Sequence, residues 1–189
     1  MAPAYHASLE RYDGMLRLFV SMRGVNYEGI RRNAASMTAL REYTTAVATM
    51  HRSAPLAHWL NAYNALVIQS VLDRFPMRSV KDIKGFFEKI EHRVAGDSYT
   101  LDRLESNIRT RFKDPRIHFA LNCGARSCPQ LLPWAFRQPT LSSSLESLCR
   151  MALTTDRHLR VENNELSISE IFFWYQSDFE QTGISLDAW

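Results

Sequence analysis

Apolar positions in the first fifty residues recur at helical spacing, separated by polar stops. Leu9, Tyr12, Leu16, Phe19 and Val20 form one such run, which Arg23-Gly24 ends. Val25-Asn26-Tyr27 reads as short and extended, and Ser36 to Met50 as a second helix with Leu40, Tyr43, Val47 and Met50 on one face. The pattern then changes. From Ala54 to Phe75, Trp59, Tyr63, Leu66 and Val67 lie on one face and Ala57, Ala65, Ile68 and Leu72 on the opposite one. Two apolar faces predict a helix packed between neighbours rather than laid on a surface. Pro55 suits its first turn, and Pro76 stops it.

Asn61 and Asn64 share the second apolar face, about one turn apart. A buried amide must find hydrogen bonds, so these two either tether a neighbouring loop or line a pocket. Downstream, Ser79 to Ile90 has the spacing of a short amphipathic helix. Glu91 to Leu101 reads as a hairpin turning at Gly96-Asp97, and Leu101 to Phe112 as a helix burying Leu104, Ile108 and Phe112. A similar order closes the chain. His158 to Ile168 is a hairpin with Asn163-Asn164 at its tip, followed by an aromatic helix from Ser169 to Phe179. No low-complexity linker divides residues 1–189, so one domain is expected.

Composition narrows the function classes. Apolar residues make up 46% and charged residues 23%, as in an ordinary soluble globular protein. The net charge is +3, yet Lys and Arg are scattered with only doublets such as Arg31-Arg32, which argues against nucleic-acid binding. The longest apolar stretch, Leu56 to Leu72, is interrupted by His58, Asn61, Asn64 and Gln69, which argues against a membrane span. The opening Met-Ala-Pro-Ala-Tyr-His lacks the basic and apolar regions of a secretory signal. With three cysteines, a reducing compartment and a cytoplasmic location are expected, for a chain whose leader, if any, lies outside this sequence. Cys123–Cys128 is the one bridge considered.

Candidate chemistry concentrates in Arg116-Ile-His-Phe-Ala-Leu-Asn-Cys-Gly-Ala-Arg-Ser-Cys-Pro129. Asp114-Pro115 before it and Gly124 after it favour a short strand and a tight loop, with His118 and Asn122 on one side. A helical turn opening at Pro129 would place Ser127 or Cys128 near a helix N-terminus. Backbone N–H groups there, with Arg126 nearby, would stabilise a thiolate. His118 would then be the base of a Cys–His nucleophilic site. His-x4-Cys-x4-Cys is also the ligand set of some open zinc sites, with His92 as a fourth ligand if the first hairpin lies alongside. Cysteine is equally common as a small buried apolar residue, which is the expectation for Cys149. Glu105 could orient the imidazole, or lie exposed on its helix. Phe172, Phe173, Trp174, Tyr175 and Phe179 read as core, although the Tyr175 hydroxyl could face a cleft.

Trp59-Leu-Asn-Ala-Tyr-Asn-Ala-Leu66, Asp114-Pro-Arg-Ile-His-Phe-Ala-Leu-Asn-Cys123, Ser127-Cys-Pro129 and Phe172-Phe-Trp-Tyr175 together resemble the family called domain of unknown function 547. The similarity runs from about Tyr12 to Phe179. It implies a bacterial and eukaryotic domain, sometimes fused to glutaredoxin-like or signalling modules. His118, Cys123 and Cys128 match the family's most distinctive motif, Asn61, Tyr63 and Asn64 its helix motif, and Glu105 an acidic position after the hairpin. Two departures stand out: His58 replaces a more usual aromatic residue, and Ser106 follows Glu105 where histidine is common. Papain- and transglutaminase-like thiol enzymes share the order helix, hairpin, histidine strand. Their cysteine, however, begins the helix and precedes the histidine.

The expected fold is α+β, a mainly helical single domain with a small antiparallel sheet made of the two hairpins and a central strand bearing His118. The expected function is a thiol-dependent hydrolase or transferase acting on an amide, thioester or thiol-containing small molecule or peptide. Cys128 would be the nucleophile, Cys123 the runner-up or resolving thiol, His118 the base and Glu105 its orienter. Asn61, Tyr63, Asn64, Asn122, Arg126 and Ser127 would contact substrate. No cofactor is expected, zinc being the lesser alternative. The competing reading is a non-catalytic interaction domain with structural cysteines.

Overall fold

Helix α4, Leu56–Leu72, is the axis of the computed structural model, which describes residues 3–125, 128–155, 158–163, 165–181, 183 and 185. Every α4 residue except Gln69 is buried, so both apolar faces expected from its sequence are covered. It contains no glycine or proline, and Pro55 at its N-cap is already extended, with φ −69° and ψ 163°. One hydrophobic cluster surrounds it and runs from Tyr5 to Phe179.

Three helices precede α4. α1 (Pro3–Phe19) and α3 (Ala34–Ala48) pack against each other, with the Tyr12 and Tyr43 rings stacked at 4.6 Å and 7°. Between them, β1 (Val20–Ser21) and β2 (Gly24–Val25) form a miniature antiparallel hairpin. The short α2 (Tyr27–Arg32) follows. Asn26 and Asn33 start α2 and α3, their side-chain oxygens accepting from Gly29 N and Ser36 N.

Past α4, the helix expected over Ser79 to Ile90 does not form. Only a 3-10 turn, Val80–Asp82, appears, held by a Ser79/Asp82 capping box. Gly85 then takes φ +78°, a left-handed conformation that breaks helical propagation. The first expected hairpin is present as β3 (His92–Val94) and β4 (Asp97–Tyr99). Val94 pairs with Asp97, so the turn is Ala95-Gly96, one residue earlier than Gly96-Asp97. Both turn residues have positive φ, 52° and 86°, as a tight hairpin turn requires. Their N–H groups donate to Val47 O (3.1 Å) and Ala48 O (2.8 Å), satisfying carbonyls at the end of α3. α5 spans Leu101–Phe112 as expected, capped by Thr100.

The His118 strand is overturned. Pro115–Phe119 is a 3-10 turn, started by the Asp114 side chain accepting from Arg116 N and by Pro115 at its first position. Ile117, His118 and Phe119 are consequently all buried, which strand alternation would forbid on a one-sided sheet. The hairpins do not join either: β1–β2, β3–β4 and β5–β6 are three separate two-stranded sheets. The architecture remains α+β and mainly helical.

α6 (Leu141–Leu153) packs on the His118 turn. β5 (Leu159–Glu162) and β6 (Glu165–Ile168) form the second expected hairpin, whose tip residue Asn164 lies outside the described residues. The single aromatic helix expected from Ser169 to Phe179 is broken in two. α7 (Ile171–Trp174) and α8 (Gln176–Glu180) flank Tyr175, which leaves helical geometry at φ −121° and ψ 25°. Among the described residues, no helix is long and apolar enough to cross a membrane.

Candidate functional site

A chain of asparagines leads from α4 to the cysteine loop. Asn61 Nδ2 donates to Phe136 O at 2.9 Å, and its Oδ1 accepts from Phe136 N at 2.8 Å. One turn later, Asn64 Nδ2 donates to Ala120 O and its Oδ1 accepts from Asn122 N, both at 2.9 Å. Asn122 in turn donates from Nδ2 to Pro129 O (2.7 Å) and accepts from Gly124 N (2.9 Å). These amides are spent on backbone, so in this state Asn61, Asn64 and Asn122 position loops. Gly124, at φ +78°, lets the loop lie against α4; a Cβ there would meet Val80 Cγ1 at 3.3 Å.

Cys123 and Cys128, the ends of this loop, are joined as a disulfide with a Cα–Cα distance of 5.9 Å. Cys128 is 4% exposed and borders a cleft of about 610 Å³ between the β1–β2 hairpin and the loop, with Tyr27, Asn122 and Leu131 in its walls. The expected helical turn at Pro129 is absent, and the next helical element begins at Gln138. The helix-terminus argument for a stabilised Cys128 thiolate therefore falls. Arg126 and Ser127 lie outside the described residues. Cys149 is free and buried on α6, and burial pushes its thiol up to about 12. His92 contacts Ser70 Oγ at 3.4 Å, and among the described residues no three His, Cys, Asp or Glu side chains gather as metal ligands would.

His118 belongs to a second assembly. Its Nε2 lies 2.9 Å from Asp178 Oδ2, its ring stacks on Tyr175 at 4.1 Å, and it is 4% exposed. Arg109 Nε donates to the same Asp178 oxygen at 2.8 Å, and its guanidinium lies over the Tyr175 ring at 4.2 Å. The Tyr175 hydroxyl donates to Glu105 Oε1 at 2.8 Å, and Tyr63 reaches Glu105 Oε2 at 3.4 Å. Burial pushes His118 down to about 4, against the opposing pull of Asp178. The neutral ring therefore donates to the carboxylate. Asp178 is held below the usual carboxylate range because the Arg109 and His118 bonds outweigh its burial. Glu105 is raised, since burial outweighs its bond from Tyr175 and the nearby Arg109 charge.

Three expected site residues, His118, Glu105 and Tyr63, thus share one network, while the cysteines and Asn122 share another. Among the described residues, no hydrogen bond links His118 to either sulfur. Glu105 makes no hydrogen bond to His118: it accepts from two tyrosines, and the imidazole's partner is Asp178. Sequence reasoning missed Asp178 and Arg109. Arg109 follows Glu105 by four residues on α5, a spacing that puts both on one helical face, whereas no spacing in the sequence ties Asp178 to His118.

No curated protein and no solved structure matches the chain. A family model described as "Protein of unknown function, DUF547" matches residues 47–153, more than half of the 189 residues. The match takes in Asn61, Asn64, Glu105, His118 and both loop cysteines, and leaves out Tyr175 and Asp178. The chain belongs to the DUF547 family of proteins of unknown function.

Proposed function

We propose that the domain works by thiol–disulfide exchange at Cys123–Cys128 with a thiol-containing small molecule or peptide. The observation that carries this reading is the bonded pair itself, with Cys128 bordering an open cleft. The step balances without a further reactant. A substrate thiolate attacks Cys128 Sγ, the Cys123–Cys128 bond breaks, and its electron pair leaves on Cys123 as a thiolate that takes a proton. A second substrate thiolate displaces Cys128, giving the substrate disulfide and a protein dithiol. The reverse sequence oxidises the dithiol. Asn64 and Asn122 keep the loop ends at bonding distance, and Arg126 and Ser127, as residues of the loop, would meet substrate.

Amide or thioester transfer by Cys128 is the less supported chemistry. It needs a reduced loop and an adjacent base, whereas the Nε2 of His118 is engaged by Asp178. The competing reading, a structural disulfide in an interaction domain, is favoured by the burial of Cys128 and its asparagine staples.

The loop's reduction potential separates these readings. The protein is equilibrated in glutathione buffers of graded ratio, acid-quenched, alkylated and weighed by mass spectrometry. Exchange predicts a potential between about −270 and −120 mV, the span of dithiol oxidoreductases. A potential below about −300 mV identifies a structural bridge and overturns the proposal.

A further inference from the structure

A cleft on the opposite part of the molecule has no role in this chemistry. Its volume is about 1400 Å³, and it runs between α1 and α3 to the turn before α4. Small side chains line the groove: Ala4, Ser8, Thr45, Ala46, Thr49 and Ala54. Near its floor, Tyr5 Oη stands 2.6 Å from His58 Nδ1 and 3.1 Å from Tyr43 Oη.

The charge in the walls is unbalanced. Arg11, Arg41 and Arg52 line the cleft with a single carboxylate, Glu42. Glu42 is taken by Arg11 at 2.6 Å, and Arg52 by Asp97 at 2.6 Å. Among the described residues, the Arg41 guanidinium makes no ion pair. A groove of small side chains beside an uncompensated guanidinium fits a ligand with an apolar body and one anionic head.

We infer that the α1–α3 cleft binds an amphiphilic monoanion, its carboxylate on Arg41 and its aliphatic body along the groove toward Tyr5. The site is independent of the cysteine loop. Titration calorimetry with octanoate tests it, with octanamide as the neutral counterpart. Saturable one-to-one binding of octanoate is expected, at least tenfold weaker for octanamide and for Arg41→Ala. Thr45→Trp, an exposed helical position on the groove wall, fills the groove and abolishes binding at an unchanged unfolding midpoint. Thr49→Trp serves as a second blocking variant should the first misfold. Absence of saturation, equal binding of octanamide, or binding untouched by these substitutions overturns the inference. Replacing Cys123 and Cys128 with serine leaves octanoate binding unchanged, so failure of the exchange reading does not touch this one.

Discussion

His118 and Asp178, sixty residues apart, meet at 2.9 Å between Nε2 and Oδ2, and the contact ties α8 to the 3-10 turn at Pro115–Phe119. Arg109 donates to the same oxygen, so the carboxylate stays charged beside a neutral imidazole. That arrangement has a pH consequence. The folded-state value of His118, about 4, lies below its ordinary 6.5, so the unfolded chain binds the proton more readily. Stability is fully present above about pH 6.5 and is lost as the pH falls toward 4, on the order of 2–4 kcal/mol from this residue. His58 is pushed down to about 4 and acts in the same window. Urea unfolding from pH 7.5 to 4 should therefore show a steep slope, reduced by about one proton in His118→Gln. An unchanged slope would mean that His118 is charged in the folded protein.

Asn64 makes two hydrogen bonds to backbone, a buried one to Ala120 O and a partly buried one from Asn122 N. Asn64→Ala should cost about 2–4 kcal/mol in urea unfolding, through the lost bonds and the stranded amide and carbonyl. Asn64→Asp keeps the acceptor for Asn122 N but buries a carboxylate whose second oxygen faces Ala120 O, so at pH 7 it should cost at least as much as alanine. Wild-type stability in either variant would count against the tether.

Gly124 combines φ +78° with a wall of valines. Gly124→Ala should destabilise by about 1–2 kcal/mol, the cost of a left-handed non-glycine residue. It should also raise the rate at which dithiothreitol opens Cys123–Cys128, read by alkylation against time. A neutral substitution would show that the loop is not pinned to α4.

Tyr175→Phe removes the 2.8 Å donor that lowers Glu105 against its burial. The Glu105 carboxyl should then titrate at still higher pH, measurable by carbon-13 NMR. Stability should fall by about 1–2 kcal/mol. Tyr63→Phe, at 3.4 Å, should do less.

After reduction, iodoacetamide at pH 7.5 should label the half-buried Cys123 well before Cys149, whose thiol is raised to about 12 by burial. Rapid native labelling of Cys149 would contradict its place on the buried face of α6.

Much of this was legible in the sequence because it is local. α5 and the doubly apolar α4 follow from periodicity, since each buries what its own pattern presents. The break at Asp114-Pro115 was legible too, yet the strand assigned beyond it was wrong. Side-chain capping and a first-position proline outweighed an apolar run that fits either period. The Asn64–Asn122 link and the His118–Asp178 pair were hidden for another reason. Both join segments that meet only in the folded chain, and no spacing rule reaches across sixty residues.

The burial of α4 on all sides also bears on where the chain can be cut. Residues 47–153, the span of the family match, retain α4 but discard α1, most of α3 and the α7–α8 pair. Such a fragment would strip the covering from α4 on the α3 flank and from Phe119 on the other, laying apolar surface open to water. As an expressed polypeptide it should aggregate or remain molten, since α1, most of α3, α7 and α8 are the covering it lacks.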